Sequence, residues 1–395
     1  MAWREIQLTQ AIIDDRLKNV RSLFQRCDVK EWISNKVPVN ELQNHRLSEN
    51  LEWTTAMCRA CGFSSNCTVQ DLVKSGASLF DINSYGDTTL TRTCLHTRDT
   101  KEKATFLLRE DASLLHAITR AQFTALHNAS QTGQIDVCEY LIQQGADINA
   151  QNCFGASSAL VAAKNNQPAV IELLHRYNAN LDLRTKNNNA PLHIAALSDA
   201  PEALQTLISF NCDVNASGQM KKNALHYAAQ GGSVKCIDEL IKCGVKVDVK
   251  DAHNQTPLYM AAWNGHVECV NMLIDTYGAG VNSQSHQGWT PLHIATSKGH
   301  IDVVQTLVYR KECDITIKEK KGKTACDLAT DKRHHEIVKL FSQLELMKPM
   351  QQELADVKRE LNAIKRRDAA TIEMDGACIS DDTNIPGMLL TIMNI

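Results

Sequence analysis

The stretch Thr290–Leu307, TPLHIATSKGHIDVVQTL, brings His293, His300 and Asp302 within ten residues. Read alone, two histidines beside an acid suggest general acid-base chemistry. The pattern recurs, however, as Thr124-Ala-Leu-His127, Ala190-Pro-Leu-His193, Asn223-Ala-Leu-His226 and Thr256-Pro-Leu-Tyr259. Counting on to Thr290, the first residues of these segments lie 66, 33, 33 and 34 apart. Ser157-Ser-Ala-Leu160 fills the double step, 33 residues from its neighbours on both sides. A histidine repeated at one register position belongs to the unit and not to one reaction centre. At the third position of a helix the imidazole can bond the N-cap hydroxyl and neighbouring backbone, tying units together.

The remainder of each unit obeys the same physics. Thr at the N-cap accepts from the backbone, Pro suits the first helical position, and paired alanines keep the first helix thin. A second helix follows with apolar residues at helical spacing, such as Val304, Leu307 and Val308. Turn residues close each unit, as in Gly145-Ala-Asp-Ile-Asn149 and Cys212-Asp-Val-Asn215. A period of about 33 residues with T-P-L-H-x-A resembles the ankyrin-repeat family. The resemblance implies an all-α ankyrin-repeat solenoid, built of helix-turn-helix repeats with β-hairpin connections. A thin inner helix against a fatter outer one predicts a curved stack with a concave face.

Carried outward, the register predicts ten units. Residues 1–28 read as a divergent N-terminal capping repeat and 29–52 as an insertion. Two divergent repeats follow over 53–120, then six repeats over 121–318 and a C-terminal capping repeat over 319–343. Met347, Met350, Leu354, Val357, Leu361 and Ile364 then fall on an a/d heptad seam, predicting a short coiled-coil-like helix over 344–367. That seam either folds back on the last repeat or pairs with another copy or protein, and the sequence leaves both open. Residues 368–395 read as a flexible tail.

Composition narrows the function classes. A net charge of -3 argues against nucleic acid as the main partner. No stretch is long and apolar enough to insert in a bilayer. The N-terminal residues MAWREIQLTQ lack the apolar run of a secretory signal, and 14 cysteines show no disulfide-like spacing. Reduced thiols in the cytoplasm, or in the nucleus, are the expectation.

Catalytic motifs fail one by one. Lys321-Gly-Lys-Thr324 imitates the end of a phosphate loop, but Ile317 stands where its earlier glycine belongs. His335-Glu336 lacks the second histidine of a zinc protease, and Gly155-Ala-Ser-Ser-Ala159 lacks the last glycine of a nucleophile elbow. Cys58 and Cys61 are spaced like half a zinc site, but in the repeat register they fall at the histidine and second-alanine positions. No enzyme activity, cofactor or metal is expected. The alternatives are a substrate-recognition subunit of a ubiquitin ligase and a zinc or thiol enzyme using the N-terminal cysteine-rich repeats.

The family resemblance implies a scaffold or adaptor that binds a partner protein in the concave groove. Carried over by register, the exposed positions include His253, Trp263 and Asn264, then His286, Gln287, Trp289 and Lys298. Two tryptophans beside histidines have the composition of an interface hot spot. Adjacent hairpin positions are basic or polar, namely Lys186, Met220, Lys222, Lys320, Lys321 and Lys323, which could steer an acidic segment. Asn149 and Asn215 also lie in hairpins resembling those that asparaginyl hydroxylases modify in ankyrin repeats.

Overall fold

A computed structural model describes residues 56–346 apart from 75, 81, 84, 85 and 98, together with 37–38, 53–54, and Val357, Arg359 and Asn362. The N-terminal capping repeat, most of the 29–52 insertion and the tail lie outside the described residues. So does most of the heptad seam, of which Val357 is described as helical and exposed. The chain divides into two compact units, Met1–Lys332 and Arg333–Ile395. In the second unit, residues 335–346 form a helix in which Ile337, Leu340 and Phe341 are buried.

The first unit begins with a short antiparallel pair, β1 (Val37–Pro38) against β2 (Trp53–Thr54). Eight helix pairs follow among the described residues. They are α1 (Ala56–Phe63) with α2 (Asn66–Lys74), α3 (Thr89–Cys94) with α4 (Thr100–Glu110), and α5 (Ala125–Thr132) with α6 (Ile135–Gln143). Next come α7 (Ser158–Lys164) with α8 (Pro168–Arg176), and α9 (Pro191–Leu197) with α10 (Pro201–Ser209). The series continues with α11 (Ala224–Gly231) and α12 (Val234–Lys242), α13 (Pro257–Asn264) and α14 (Val267–Asn271), and α15 (Pro291–Lys298) and α16 (Ile301–Val308). Helix α17 (Ala325–Asp331) ends the unit.

First helices pack on first helices of the next unit, and second helices on second helices, throughout the series. That stacking requires a thin first helix, which the small residues supply. Ala228, Ala229, Ala261, Ala262 and Ala295 are completely buried. On the second helices the apolar stripe does the same, with Val303, Val304 and Leu307 fully buried. Each such side chain contributes about 1.5–3 kcal/mol by leaving water.

Between units the backbone forms tight hairpins instead of extended strands. The amide of the first hairpin residue donates to the carbonyl four residues on, as in Asn152 to Ala156, Asp251 to Gln255 and Ser285 to Trp289. Neighbouring tips are laced together, Lys186 N donating to Phe154 O, Ala252 N to Met220 O and His286 N to His253 O. The residue at hairpin position one holds the turn with its side chain. Asp251 Oδ1 accepts from the amides of His253 and Gln255, at 2.8 and 2.9 Å.

Departures from the 33-residue period have local causes. The 34-residue step from Thr256 to Thr290 carries its extra residue in the second helix, where α14 continues as a π-turn over Met272–Thr276. The longer second divergent repeat takes up its additional residues in a 3-10 turn, Ala112–His116.

Candidate functional site

The histidines of the repeats are buried and bonded into the fold, three of them through both ring nitrogens. His127 Nδ1 accepts from the amide of Thr124 at 3.2 Å and lies 2.8 Å from its hydroxyl, while Nε2 donates to Ala156 O of the next hairpin at 2.9 Å. His193 bridges the amide of Ala190 and the carbonyl of Ala216, and His226 bridges Asn223 and the carbonyl of Gln255. An Nδ1 that accepts and an Nε2 that donates specify the neutral Nε2–H tautomer. Burial lowers the pKa of His127, His193 and His293, and brings that of His226 down to about 4. His293 keeps its cap to Thr290, but its Nε2 has no hydrogen-bond partner. None of the four is exposed enough to meet a substrate.

A second histidine series fastens the other end of the first helices. His266 Nε2 donates to Gln230 O at 3.0 Å and His300 Nε2 to Trp263 O at 2.9 Å. His300, which opened the case for an active site, therefore fixes the backbone under Trp263.

The cysteines follow the same logic. Cys58 stands at the histidine position, and its thiol points to Asp87 O, the hairpin carbonyl equivalent to those bound by His127 and His226. Cys58, Cys61 and Cys94 are completely buried. Burial raises the thiols of Cys138, Cys236 and Cys269 to about 12, and that of Cys94 higher still. Thiols held protonated are poor nucleophiles and poor metal ligands.

The outward-facing residues present a different picture around the Asn223, Thr256 and Thr290 units. A cavity of about 510 Å³ is lined by Met220, Lys222, Gln230, His253, Gln255, Met260, Trp263, Asn264, Ser285, His286 and Gln287. Five of the seven expected residues line it: His253, Trp263, Asn264, His286 and Gln287. Trp263 keeps 38% of its surface exposed on the last turn of α13. Tyr259 packs against it one turn back, with ring centroids 6.0 Å apart.

The other two expected residues are placed differently. Trp289 is half-buried, lies outside the cavity lining and has its ring centroid 6.5 Å from that of His293. Lys298 lies beyond the cavity wall but sets its ammonium 4.5 Å from the Trp263 ring centroid, a cation–π contact that orients the indole. Asn264 lines the cavity but turns its amide to its own helix, donating to Met260 O at 2.9 Å.

Met260, Gln230 and Ser285 were not among the residues expected from sequence. The available signal was register: Gln230 occupies in its repeat the place of Trp263, and Met260 lies one turn before Trp263. Met220 is set by an unusual hairpin. Its unit places both Met220 and Lys221 in the left-handed region, with φ of 55° and 57°. That conformation costs an L-residue roughly 1–2 kcal/mol. It leaves the Met220 side chain 54% exposed, with its sulfur 3.1 Å from His253 Nε2.

Lys222 stands in the cavity wall, donating to Gln230 Oε1 at 3.2 Å. Burial lowers its pKa, and the Asp251 carboxylate partly restores it. Elsewhere, Asn149 Oδ1 accepts from the amide of Asn180 in the following unit, a structural use of that side chain.

The family model for ankyrin repeats (3 copies) matches residues 57–152, 126–218, 200–285 and 258–348. The chain is an ankyrin-repeat protein. Among curated proteins it is similar to the serine/threonine-protein kinase VIK of Arabidopsis thaliana, 41% identical over 68 residues. That stretch is 17% of this chain and only 16% of the kinase. Among solved structures it is similar to the human ASB11 ankyrin repeat domain, with 25% identity and a TM-score of 0.48. The match covers 54% of this chain and 96% of that domain. The ankyrin array is a protein–protein interaction module. Among the described residues no helix is long and apolar enough to cross a membrane.

Proposed function

We propose that this ankyrin-repeat protein is a non-enzymatic adaptor that captures a partner protein in the cavity between the hairpins at Met220, His253 and His286. The observation that carries the reading is Trp263: a large aromatic surface left open to solvent, yet held in place. His300 bonds its carbonyl and Lys298 caps its ring. A preorganised aromatic beside methionine is the composition of a binding hot spot, where one side chain carries about 2 kcal/mol or more. Rigidity before binding lowers the entropic cost of association.

The adaptor reading is preferred to thiol or zinc chemistry because Cys58, Cys61 and Cys94 lie inside the stack of first helices, apart from Cys67, which is exposed on α2. A role as the receptor subunit of a ubiquitin ligase has no observation among the described residues in its favour. Affinity capture with the wild-type chain, Trp263→Ala and Trp289→Ala tests the proposal. Trp263→Ala should lose the captured partner while retaining the wild-type thermal transition. Trp289→Ala should retain it. Equal capture by all three proteins would rule the cavity out.

A further inference from the structure

The molecule carries a net charge of -3, but its charges are not evenly spread. Over the hairpin tips 186–187, 219–222, 252–255, 286–289 and 320–321, no residue is Asp or Glu. The same holds for the last turns of the first helices at 197–198, 230–231, 263–264 and 297–298. Those positions instead carry Lys186, Lys221, Lys222, Lys298, Lys320 and Lys321. Exposed carboxylates in the same repeats, such as Glu202, Glu268, Asp275 and Asp302, lie on the second helices. The two acids that do occur at hairpin starts, Asp251 and Glu319, are buried. Over these tips and last turns lysine is therefore the only charged residue type, whereas the second helices carry charges of both signs, Lys235 and Lys242 beside Asp238 and Glu239 among them.

Lys222 lines the cavity and Lys298 sets its ammonium over Trp263, while Lys320 and Lys321 lie on the next hairpin tip, where the Lys320 amide donates to the carbonyl of cavity-lining Gln287 at 3.1 Å. An ammonium has three donors, and Gln230 occupies one of those on Lys222. Its surroundings are already partly dehydrated, so a carboxylate arriving there interacts more strongly than it would in open water. Beside it lies an apolar floor of Met220, Met260 and Trp263.

We infer that the groove recognises an acidic peptide segment bearing an apolar anchor residue, with the anchor on the Trp263–Met260 floor and flanking carboxylates on Lys222 and Lys320–Lys321. This rests on the groove reading above and adds the chemistry of the ligand. The thioether and indole floor beside Lys222 favours a peptide with an apolar side chain over a nucleic-acid backbone.

The test uses fluorescence anisotropy on the full chain with three labelled peptides, in which one leucine is flanked by glutamates, serines or lysines. A labelled single-stranded oligonucleotide serves as a fourth probe. The glutamate peptide should bind tightest, weaken as salt is raised, and lose about tenfold in affinity with Lys222→Met or with Lys320→Glu plus Lys321→Glu. Trp263→Ala should weaken the glutamate and serine peptides alike. Each variant is compared with wild type by circular dichroism and thermal melting to show that it folds. Equal or tighter binding of the lysine peptide or the oligonucleotide overturns the inference, as does absence of glutamate-peptide binding. Binding indifferent to Lys222 and Trp263 overturns it too. Should Trp263→Ala abolish partner capture while the glutamate peptide fails to bind, the groove survives and the acidic ligand does not.

Discussion

Residues 56–116 and residues 224–308 use one repeat but connect neighbouring units by different chemistry. In the later region His226 spans from its own N-cap to the next hairpin. In the earlier region the same position holds Cys58 and Thr91, which are too short to do both. Cys58 Sγ lies 3.9 Å from the hairpin carbonyl of Asp87, and the Thr91 hydroxyl bonds its own cap at Thr88. The following unit also bonds to α3: Asn128 Nδ2 donates to Thr91 O at 2.8 Å, and Gln134 Nε2 to Cys94 O at 3.0 Å, the latter from the position that His266 and His300 occupy in their repeats. The imidazole of His226 makes both links because it has two ring nitrogens of opposite role held apart by a rigid ring.

The sharpest contrast between the regions is at glycine. A Cβ on Gly231 would lie 2.1 Å from the Leu197 carbonyl oxygen, forcing α11 away from α9, whereas one on Gly62 would meet the movable His96 ring at 3.0 Å. Gly231→Ala should cost about 4 kcal/mol by overpacking. Gly62→Ala should stay within about 1 kcal/mol, the ring displacement being offset by helix propensity. Urea denaturation of both variants checks this, and similar losses would break the comparison.

Next in size, His226→Ala should cost about 3 kcal/mol, since it removes two buried hydrogen bonds and strands their partners. Cys58→Ala, which gives up the long sulfur contact to Asp87 O and a little volume, should cost about 1 kcal/mol. The same denaturation series reads both.

Acid should also separate the regions. His226 titrates at about 4 in the fold and near its ordinary value of 6.5 in the unfolded chain. Between those values the unfolded state binds more protons. Its stabilising contribution is therefore complete above pH 6.5 and declines as pH falls toward 4. About 2 kcal/mol is lost at this residue between pH 7 and pH 5. His293 shifts in the same direction; in the earlier region His96, lowered to about 4 chiefly by burial, is the comparable group. Hydrogen exchange at the two pH values, corrected for intrinsic rates, should show the larger loss of protection over 224–308. The smallest effect is at Lys298→Met: about 0.5 kcal/mol of stability, with Trp263 fluorescence shifted as the cation–π contact is lost. An unchanged emission spectrum would show that Lys298 does not hold the ring.

Much of the fold was legible because a repeat states its local rules several times. Thr124, Thr290 and Thr324 as N-caps, His127, His193 and His226 as bridges, and Cys58 as a substitute for histidine all follow from register. The candidate site was legible only in part. Register marks Trp263, His253, His286 and Gln287 as outward positions, and all line the cavity. It also marks Trp289, whose ring the structure turns toward His293, and it passes over Met260, which belongs to the buried side of α13 but reaches the cavity floor.

By itself, then, the sequence determined the unit, its caps and hairpins, and the structural employment of its histidines, because these depend on neighbours within one period or at the same place in the next. Only the tertiary structure decided which outward side chains meet: Met220 with His253, Lys298 with Trp263, Lys222 with Gln230. Two of those contacts join residues about one repeat apart, and the third joins a hairpin to the end of the helix that follows it. They depend on backbone details such as the left-handed tip at Met220 and on how closely stacked helices approach, which a one-dimensional register does not contain.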